Sequence, residues 1–382
     1  MKILHVVTYI SPDGAYGGPV RVAINQAKVL TELGHDVVVA AAAGGFEGSL
    51  PAEFDGFPVR LFPARRLVPK SGFAGLTSLG LLRWLAHAVR GADVVHVHMA
   101  RDMVTLPAAA IALLRNKPLV VQTHGMIAPT KHPLARPLDC TITNPILHRS
   151  STVLYLTEVE RGDLIARSSK TLTLQQLANG VVAGNYLAGE QLTGANPRPE
   201  VLFLARLHER KRPLFLVESA AQLANHWPSA RWRIVGPDEG EGAKVEAAIL
   251  AQNLTEVMEW EGAMDPSYTL MRMQEASIYV LPAVQEPFGM TALEAMAIGL
   301  PVVVTESCGL APVVRKNHAG IVCGDSQHEV TQAIDTLLRN PNLRIAMGKH
   351  ARKAVENQYS MQAIGKRLLK VYGDATGHKV AA

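Results

Sequence analysis

The sequence predicts an α/β protein of two doubly wound, parallel-sheet domains, and three observations carry that prediction. Short β-branched runs alternate with helix-length segments, the alternation occurs twice, and a polar stretch containing Gly and Pro separates the two series. Parallel strands joined by crossover helices are covered on both faces, so they read as continuous apolar runs rather than alternating ones. At 382 residues the chain also exceeds one ordinary domain, and two cores of about 180 residues suit the usual domain size. A cleft between two such domains is expected.

The first series is KILHVVT, DVVVAA, PVRLF, DVVHVH, PLVVQT and TVLYL. Behind the first strand, PVRVAINQAKVLTELG places Val20, Ala23, Ile24, Ala27 and Leu30 on one helical face. That helix is expected to open at Pro19, where a missing N–H costs nothing, and to stop at Gly34. The stretch LAGEQLTGANPRPE (187–200) then reads as an interdomain linker, because it breaks the apolar pattern between two similar halves. The second series is VLFLA, RWRIVG, VMEW, IYVLP, PVVVT and GIVC. This gives an amino-terminal domain over 1–186 and a carboxyl-terminal domain over 201–360, with a last helix in 361–382 that crosses back onto the first domain.

Composition limits the classes of function. The chain is 48% hydrophobic and 5% aromatic, with mean hydropathy +0.11, which describes aliphatic cores rather than disorder. Lys and Arg number 38 against 33 Asp and Glu. That modest excess suits phosphate-bearing small molecules or an anionic membrane, and it is too dispersed for a nucleic-acid footprint. Cys140, Cys308 and Cys323 are scattered and odd in number, so neither a disulfide framework nor a zinc site is expected, and a reducing, cytoplasmic compartment is. The first residues read as a strand rather than a signal peptide, and no run reaches the roughly 18 apolar residues of a membrane span.

Open parallel sheets bind ligands beyond the carboxyl ends of their strands, so the loops there hold the candidates. After strand one, SPDGAYGGP supplies Gly14, Gly17 and Gly18 and then a helix amino end, a place where backbone N–H groups can meet phosphate. The loop is not GxGxxG, so a dinucleotide fingerprint is absent. After VLFLA, RLHERKRP sets Arg206, Lys211 and Arg212 where cations can meet a diphosphate. After IYVLP, Glu286 stands in a rigid Pro287-Phe288-Gly289 turn and Glu294 lies eight residues on, about 7 Å along the helix that follows. Two such carboxylates can grip two sets of sugar hydroxyls on one ligand.

The unit EPFGMTALEAMAIGLPVVVT resembles the EX7E motif of retaining GT-B glycosyltransferases, and the pattern is similar to that of glycosyltransferase family 4. The resemblance extends along the whole chain, through the Gly-rich loop, DVVHVH, THG (123–125), LANGV (177–181), ARLHERK and IVGPDEG. It implies a GT-B architecture of two Rossmann-like domains and transfer of a sugar from a nucleoside diphosphate sugar, UDP- or GDP-linked, to a hydroxyl with retained configuration. It further implies that Glu286 contacts donor-sugar hydroxyls beside the reacting carbon and that Glu294 binds the ribose, with Phe288, Gly289, Met290 and Thr291 around the nucleotide sugar. Arg206 and Lys211 would neutralise the diphosphate, Gly17 and Gly18 would bring N–H groups to phosphate or acceptor, and His124 would lie close to the transferred sugar. The chain departs from the family at Val182, where Asp is common, and in ESCGLAPVV.

The acceptor implied is a glycan or a lipid-linked hydroxyl in glycan, glycolipid or cell-envelope polysaccharide synthesis. No metal or other cofactor is expected, since cations aimed at the leaving group can stabilise its charge and no DxD-type cluster stands at a strand end. His96 and His98 share a strand face and with His124 could suggest a metal site, yet other local ligands are missing, so these histidines read as hydrogen-bonding groups rather than metal ligands. Asp93 begins its strand and receives no catalytic role. Residues 63–90 mix basic and apolar side chains, including Leu82, Arg83, Trp84, Leu85 and Arg90; such a segment can rest on an anionic membrane or simply bury its apolar face. A nucleotide-sugar epimerase, and a nucleotide-sugar-binding protein without transferase activity, are the competing readings.

Overall fold

The computed structural model describes residues 1–12, 17–68, 72–130, 132, 135–168, 171–182 and 198–377. The chain divides into two compact units, Met1–Gly180 with Met361–Ala382, and Val181–Ser360. The division falls at Gly180, six residues before the boundary placed at 186. Of the linker expected over 187–200, only 198–200 lie within the described residues.

Unit 1 carries β1 (Lys2–Ile10), β2 (Asp36–Ala43), β3 (Glu53–Phe54), β4 (Phe57–Pro63), a separate hairpin of β5 (Arg65–Arg66) and β6 (Leu76–Thr77), then β7 (Val94–His98), β8 (Leu119–Gln122), β9 (Thr152–Tyr155) and β10 (Leu174–Gln176). Its sheet runs β10-β9-β8-β7-β1-β2-β4-β3. Every pair is parallel except β3 with β4. The chain leaves β1 towards β2 and β4 and returns on the other side at β7, so the sheet reverses direction between β1 and β7. Their register sets His5 opposite His96.

The helix behind β1 spans Gly17–Glu32 and starts two residues before Pro19. Proline still sits in the first turn, where its lack of an N–H is harmless. Gly34, at φ +87°, turns the chain into β2. The last helix, Met361–Thr376, buries Ile364, Leu368, Val371 and Tyr372 against Ile3, Val94, Val120 and Leu154. Each such aliphatic side chain contributes about 1.5–3 kcal/mol. Gly365 permits the close approach: a Cβ there would come 2.9 Å from Leu33 and 3.1 Å from Val29.

Unit 2 carries β11 (Glu200–Leu204), β12 (Arg231–Val235), β13 (Met258–Trp260), β14 (Ile278–Leu281), β15 (Val302–Thr305) and β16 (Gly320–Cys323). The sheet is wholly parallel in the order β13-β12-β11-β14-β15-β16. Its direction reverses between β11 and β14, and the carboxyl ends of those two strands are where a doubly wound sheet opens a crevice for ligands. Gly320 has no room for a side chain, because a Cβ would stand 1.9 Å from the Val302 carbonyl oxygen.

In the helix Leu79–Gly91 the apolar face is the buried one, the second of the two expectations for residues 63–90. Leu81, Leu85 and Val89 are buried, and Leu82 and Trp84 pack against the same core. Spacing of four residues turns that stripe inward, and Leu79 alone of its large apolar side chains stays mostly exposed, at 59%.

Candidate donor site

The crevice end of unit 2 is built from two neighbouring loops. The loop after β11 makes a single turn over Glu209–Lys211, capped by His208, whose Nδ1 accepts from the Arg210 N–H. The loop after β14 is pinned to it where the Val284 N–H donates to the Arg210 carbonyl at 2.8 Å. Lys211 and Glu286 are thereby brought into an ion pair. Their side chains are only 16% and 12% exposed, so the pair is shielded from the screening that weakens surface ion pairs.

Glu286 is held on both oxygens. One meets Lys211, and the other accepts from the Gly289 N–H at 3.1 Å. Gly289 sits at φ +90° as the cap of the helix Met290–Ala297, a left-handed conformation that side chains rarely adopt. The Gly309 N–H donates to the Glu286 carbonyl at 2.8 Å. A Cβ on Gly309 would stand 2.1 Å from the Pro287 carbonyl oxygen, so this clasp needs glycine. The turn that carries Glu286 is thus fixed by backbone from both sides.

Glu294 lies half-buried inside the helix. Both carboxylates act on the buried Tyr279 hydroxyl: burial pushes its pKa up first, and Glu294 and then Glu286 push it further. That hydroxyl lies 2.6 Å from Thr291 Oγ1 and 3.0 Å from the Leu204 carbonyl, which ties the helix start to the end of β11. Cys308 is buried beside the turn, and its thiol is pushed up to about 11 by burial, with Glu286 adding and Lys211 opposing. It is a small packed group here, with its Sγ 3.6 Å from the Phe288 carbonyl.

The predicted residues fall into three groups. Lys211, Glu286, Gly289, Met290, Thr291 and Glu294 belong to this crevice end. Phe288 is 6% exposed and belongs to the buried core. Arg206 follows β11, but its guanidinium is 57% exposed and paired with Glu239 at 2.7 Å. Gly17, Gly18 and His124 belong to unit 1: the first two open the helix Gly17–Glu32, and His124 stands after β8 at φ +50°.

Sequence reasoning missed the group that fixes His124. Glu160, 7% exposed, accepts from Thr123 Oγ1 and the Gly125 N–H at 2.5 Å each and from the Leu156 N–H at 2.6 Å. It clamps the residues on both sides of His124. The signal was faint: a Glu in the first turn of Glu158–Arg167 reads as an ordinary helix-start acid. The three histidines nominated against metal gain a fourth, since His5, His96 and His98 are fully buried with one ring nitrogen from each within 4.8 Å of the others.

Comparison with known proteins supplies the rest. The family model described as "Glycosyl transferase 4-like domain" matches residues 17–180, and that described as "Glycosyl transferases group 1" matches residues 190–354. The chain is 26% identical to the GDP-mannose:cellobiosyl-diphosphopolyprenol alpha-mannosyltransferase of Xanthomonas oryzae pv. oryzae over 99% of this chain and 98% of that protein. It is also 26% identical to the alpha-D-kanosaminyltransferase of Streptomyces kanamyceticus over 67% of this chain and 70% of that one. Among solved structures, HepE of Anabaena in complex with UDP and glucose superimposes with a TM-score of 0.72 at 19% identity, over 97% of this chain and 98% of that chain.

Proposed function

This chain belongs to the group 1 glycosyl transferases of GT-B architecture, and from that membership we propose that it transfers a sugar from a UDP- or GDP-linked donor to a hydroxyl with retained anomeric configuration. The single observation that carries the reading is the shielded Lys211–Glu286 pair at the reversal point of the unit 2 sheet. The ammonium is placed to turn to the donor's diphosphate as charge develops on it, and the freed carboxylate then faces the sugar. Fixed donors and cations aimed at a leaving group supply most of the stabilisation such a reaction needs. In this reading Glu294, with Thr291, takes the ribose, Gly289 and Met290 offer backbone to the phosphates, and Arg206 leaves Glu239 to add a second positive charge. Gly17, Gly18 and His124 serve sugar and acceptor from unit 1. No metal is required, because Lys211 and Arg206 do the neutralising.

The relatives favour such donors: one is named for GDP-mannose and one structure holds UDP and glucose. The acceptor is proposed to have an apolar part. Unit 1 has a groove of about 690 Å³ lined by Leu67, Leu79, Met103, Leu114, Ile142 and Arg149 among others, and those five apolar side chains are exposed. An apolar rim with a cation beside it suits an anionic membrane surface and a lipid-linked hydroxyl. No helix among the described residues is long and apolar enough to cross a membrane; the contact proposed is peripheral, on a cytoplasmic face. Liposome co-sedimentation tests this part, and no binding at low salt removes it.

Thermal stabilisation across UDP, GDP, ADP and dTDP, followed by assays with the matching sugar donors and no added metal, tests the central reading. A selective shift with UDP or GDP and retention in the product support it. Epimerised donor without transfer, or binding without turnover, would replace it with one of the competing readings.

A further inference from the structure

Unit 1 contains a continuous line of ring-to-ring hydrogen bonds that ends at His124. His96 Nδ1 lies 2.7 Å from the Tyr372 hydroxyl, which lies 3.2 Å from His5 Nε2. His5 Nδ1 lies 3.0 Å from His98 Nε2, and His98 Nδ1 lies 2.8 Å from His124 Nε2. His5, His96, His98 and Tyr372 have no exposed surface, while His124 is half-buried. The line therefore runs from the closed interior to a residue that keeps some exposed surface.

Composition alone would suggest a metal site, but the ring geometry opposes it. Both ring nitrogens of His5 and of His98 are already engaged along the line, which leaves neither ring a free lone pair to turn towards a common centre. A His5–His98 nitrogen separation of 3.0 Å also places a proton between those two nitrogens.

All four rings are neutral near pH 7. Burial lowers His5 and His124 to about 3 and holds His96 and His98 well below the usual histidine range. A neutral imidazole has one donor nitrogen and one acceptor nitrogen, so His5, His98 and His124 share one order, and the buried Tyr372 hydroxyl carries it to His96 when its own proton goes to one of the two rings it touches. Two orders keep every contact and use that proton. In one, every ring is protonated on Nδ1; in the other, every ring is protonated on Nε2.

His96 Nε2 decides between them, because it is buried with no hydrogen-bond partner among the described residues. The first order leaves it as a bare lone pair; the second leaves a buried N–H with no acceptor, which proteins tolerate less readily. We propose that the buried line Tyr372–His5–His98 locks His124 in the Nδ1-protonated tautomer, so that His124 can only accept through Nε2 from the protein and offers a donor, Nδ1–H, to the ligand. The donor suits a sugar hydroxyl oxygen, and this assignment of its target rests on the glycosyltransferase reading above. Tyr372, His5 and His98 act as positioning residues, and Tyr372 gives the last helix a task beyond packing.

Long-range 15N–1H spectra of histidine-labelled protein without ligand test the order itself, whatever the activity. The expected result is protonated Nδ1 on His5, His98 and His124, and a mixed tautomer at His124 in Tyr372→Phe. Nε2 protonation of His124 in the wild type, unchanged His124 signals in the variant, or one tightly bound metal per chain by elemental analysis would overturn the proposal. Kinetics then separate it from the functional reading. Tyr372→Phe should lower kcat about tenfold with the donor KM within about twofold. At His98, Asn can still donate to His124 Nε2 whereas the similarly sized Leu cannot, so His98→Asn should keep several times more turnover than His98→Leu. Equal loss in both would make the line a packing feature and defeat the proposal. The expected tautomer in a protein that transfers no sugar would leave the order standing and sink only the function.

Discussion

Units 1 and 2 share a parallel core that reverses direction beside its first strand, and they hold their polar groups at the strand ends by opposite means. Unit 2 uses charge: Lys211 meets Glu286, and backbone N–H groups from Gly289 and Gly309 fix the turn. Unit 1 uses neutral rings buried in its interior, joined by hydrogen bonds between ring nitrogens and through the Tyr372 hydroxyl. A charged pair can exchange partners when an anion arrives, since its attraction is not tied to one geometry. A tautomer line has no net charge to redirect and can only hold its last ring in one state. In the function proposed above, the same kind of sheet end thus serves a group that responds to a diphosphate and a group that stays fixed.

The largest test of this contrast lies in unit 2. Glu286→Gln keeps the shape of the side chain and removes its charge, so the fold should survive while turnover falls about a hundredfold or more. Steady-state rates with intact thermal melting check this, and near wild-type turnover would remove Glu286 from the chemistry. Next, Lys211→Ala should weaken nucleoside diphosphate binding by about tenfold, since a shielded cation is lost. Arg206→Ala should do less on its own, because its side chain is mostly exposed and already paired with Glu239. Calorimetric titration with the diphosphate ranks the two, and the reverse order would move the phosphate site towards Arg206.

The smallest effect is one of pH. His5 has a folded-state pKa of about 3 against an ordinary 6.5, and His124 likewise. As pH falls the unfolded chain takes up these protons first, so the contribution is full above about 6.5 and is lost progressively towards 3. Hydrogen exchange at pH 7 and pH 5.5 should therefore show β1 and β7 losing protection before β11 and β14. Loss in both units together would mean that the histidines do not set the acid sensitivity of unit 1.

Much of this was legible without coordinates. Both sheets are visible as apolar runs because strands covered on two faces are apolar throughout. Lys211, Glu286 and Glu294 could be nominated because a turn of Pro287, Phe288 and Gly289 is local chemistry. Glu160 escaped because a first-turn acid looks the same whether it faces water or clamps Thr123 and Gly125. Whether Leu85 faces a membrane or the core was left open, because the side of a helix that faces the core depends on what lies beneath it.

The sequence by itself determined the alternation of strands and helices, the two-unit plan and the carboxylates at a strand end, since each follows from short-range spacing along the chain. Only the tertiary structure decided that Lys211 meets Glu286 across 75 residues and that Tyr372 closes a line begun at His5, 367 residues away. Hydrogen bonds and ion pairs act over a few ångströms of space, and which residues come within that range is set by strand order and helix docking rather than by position in the chain.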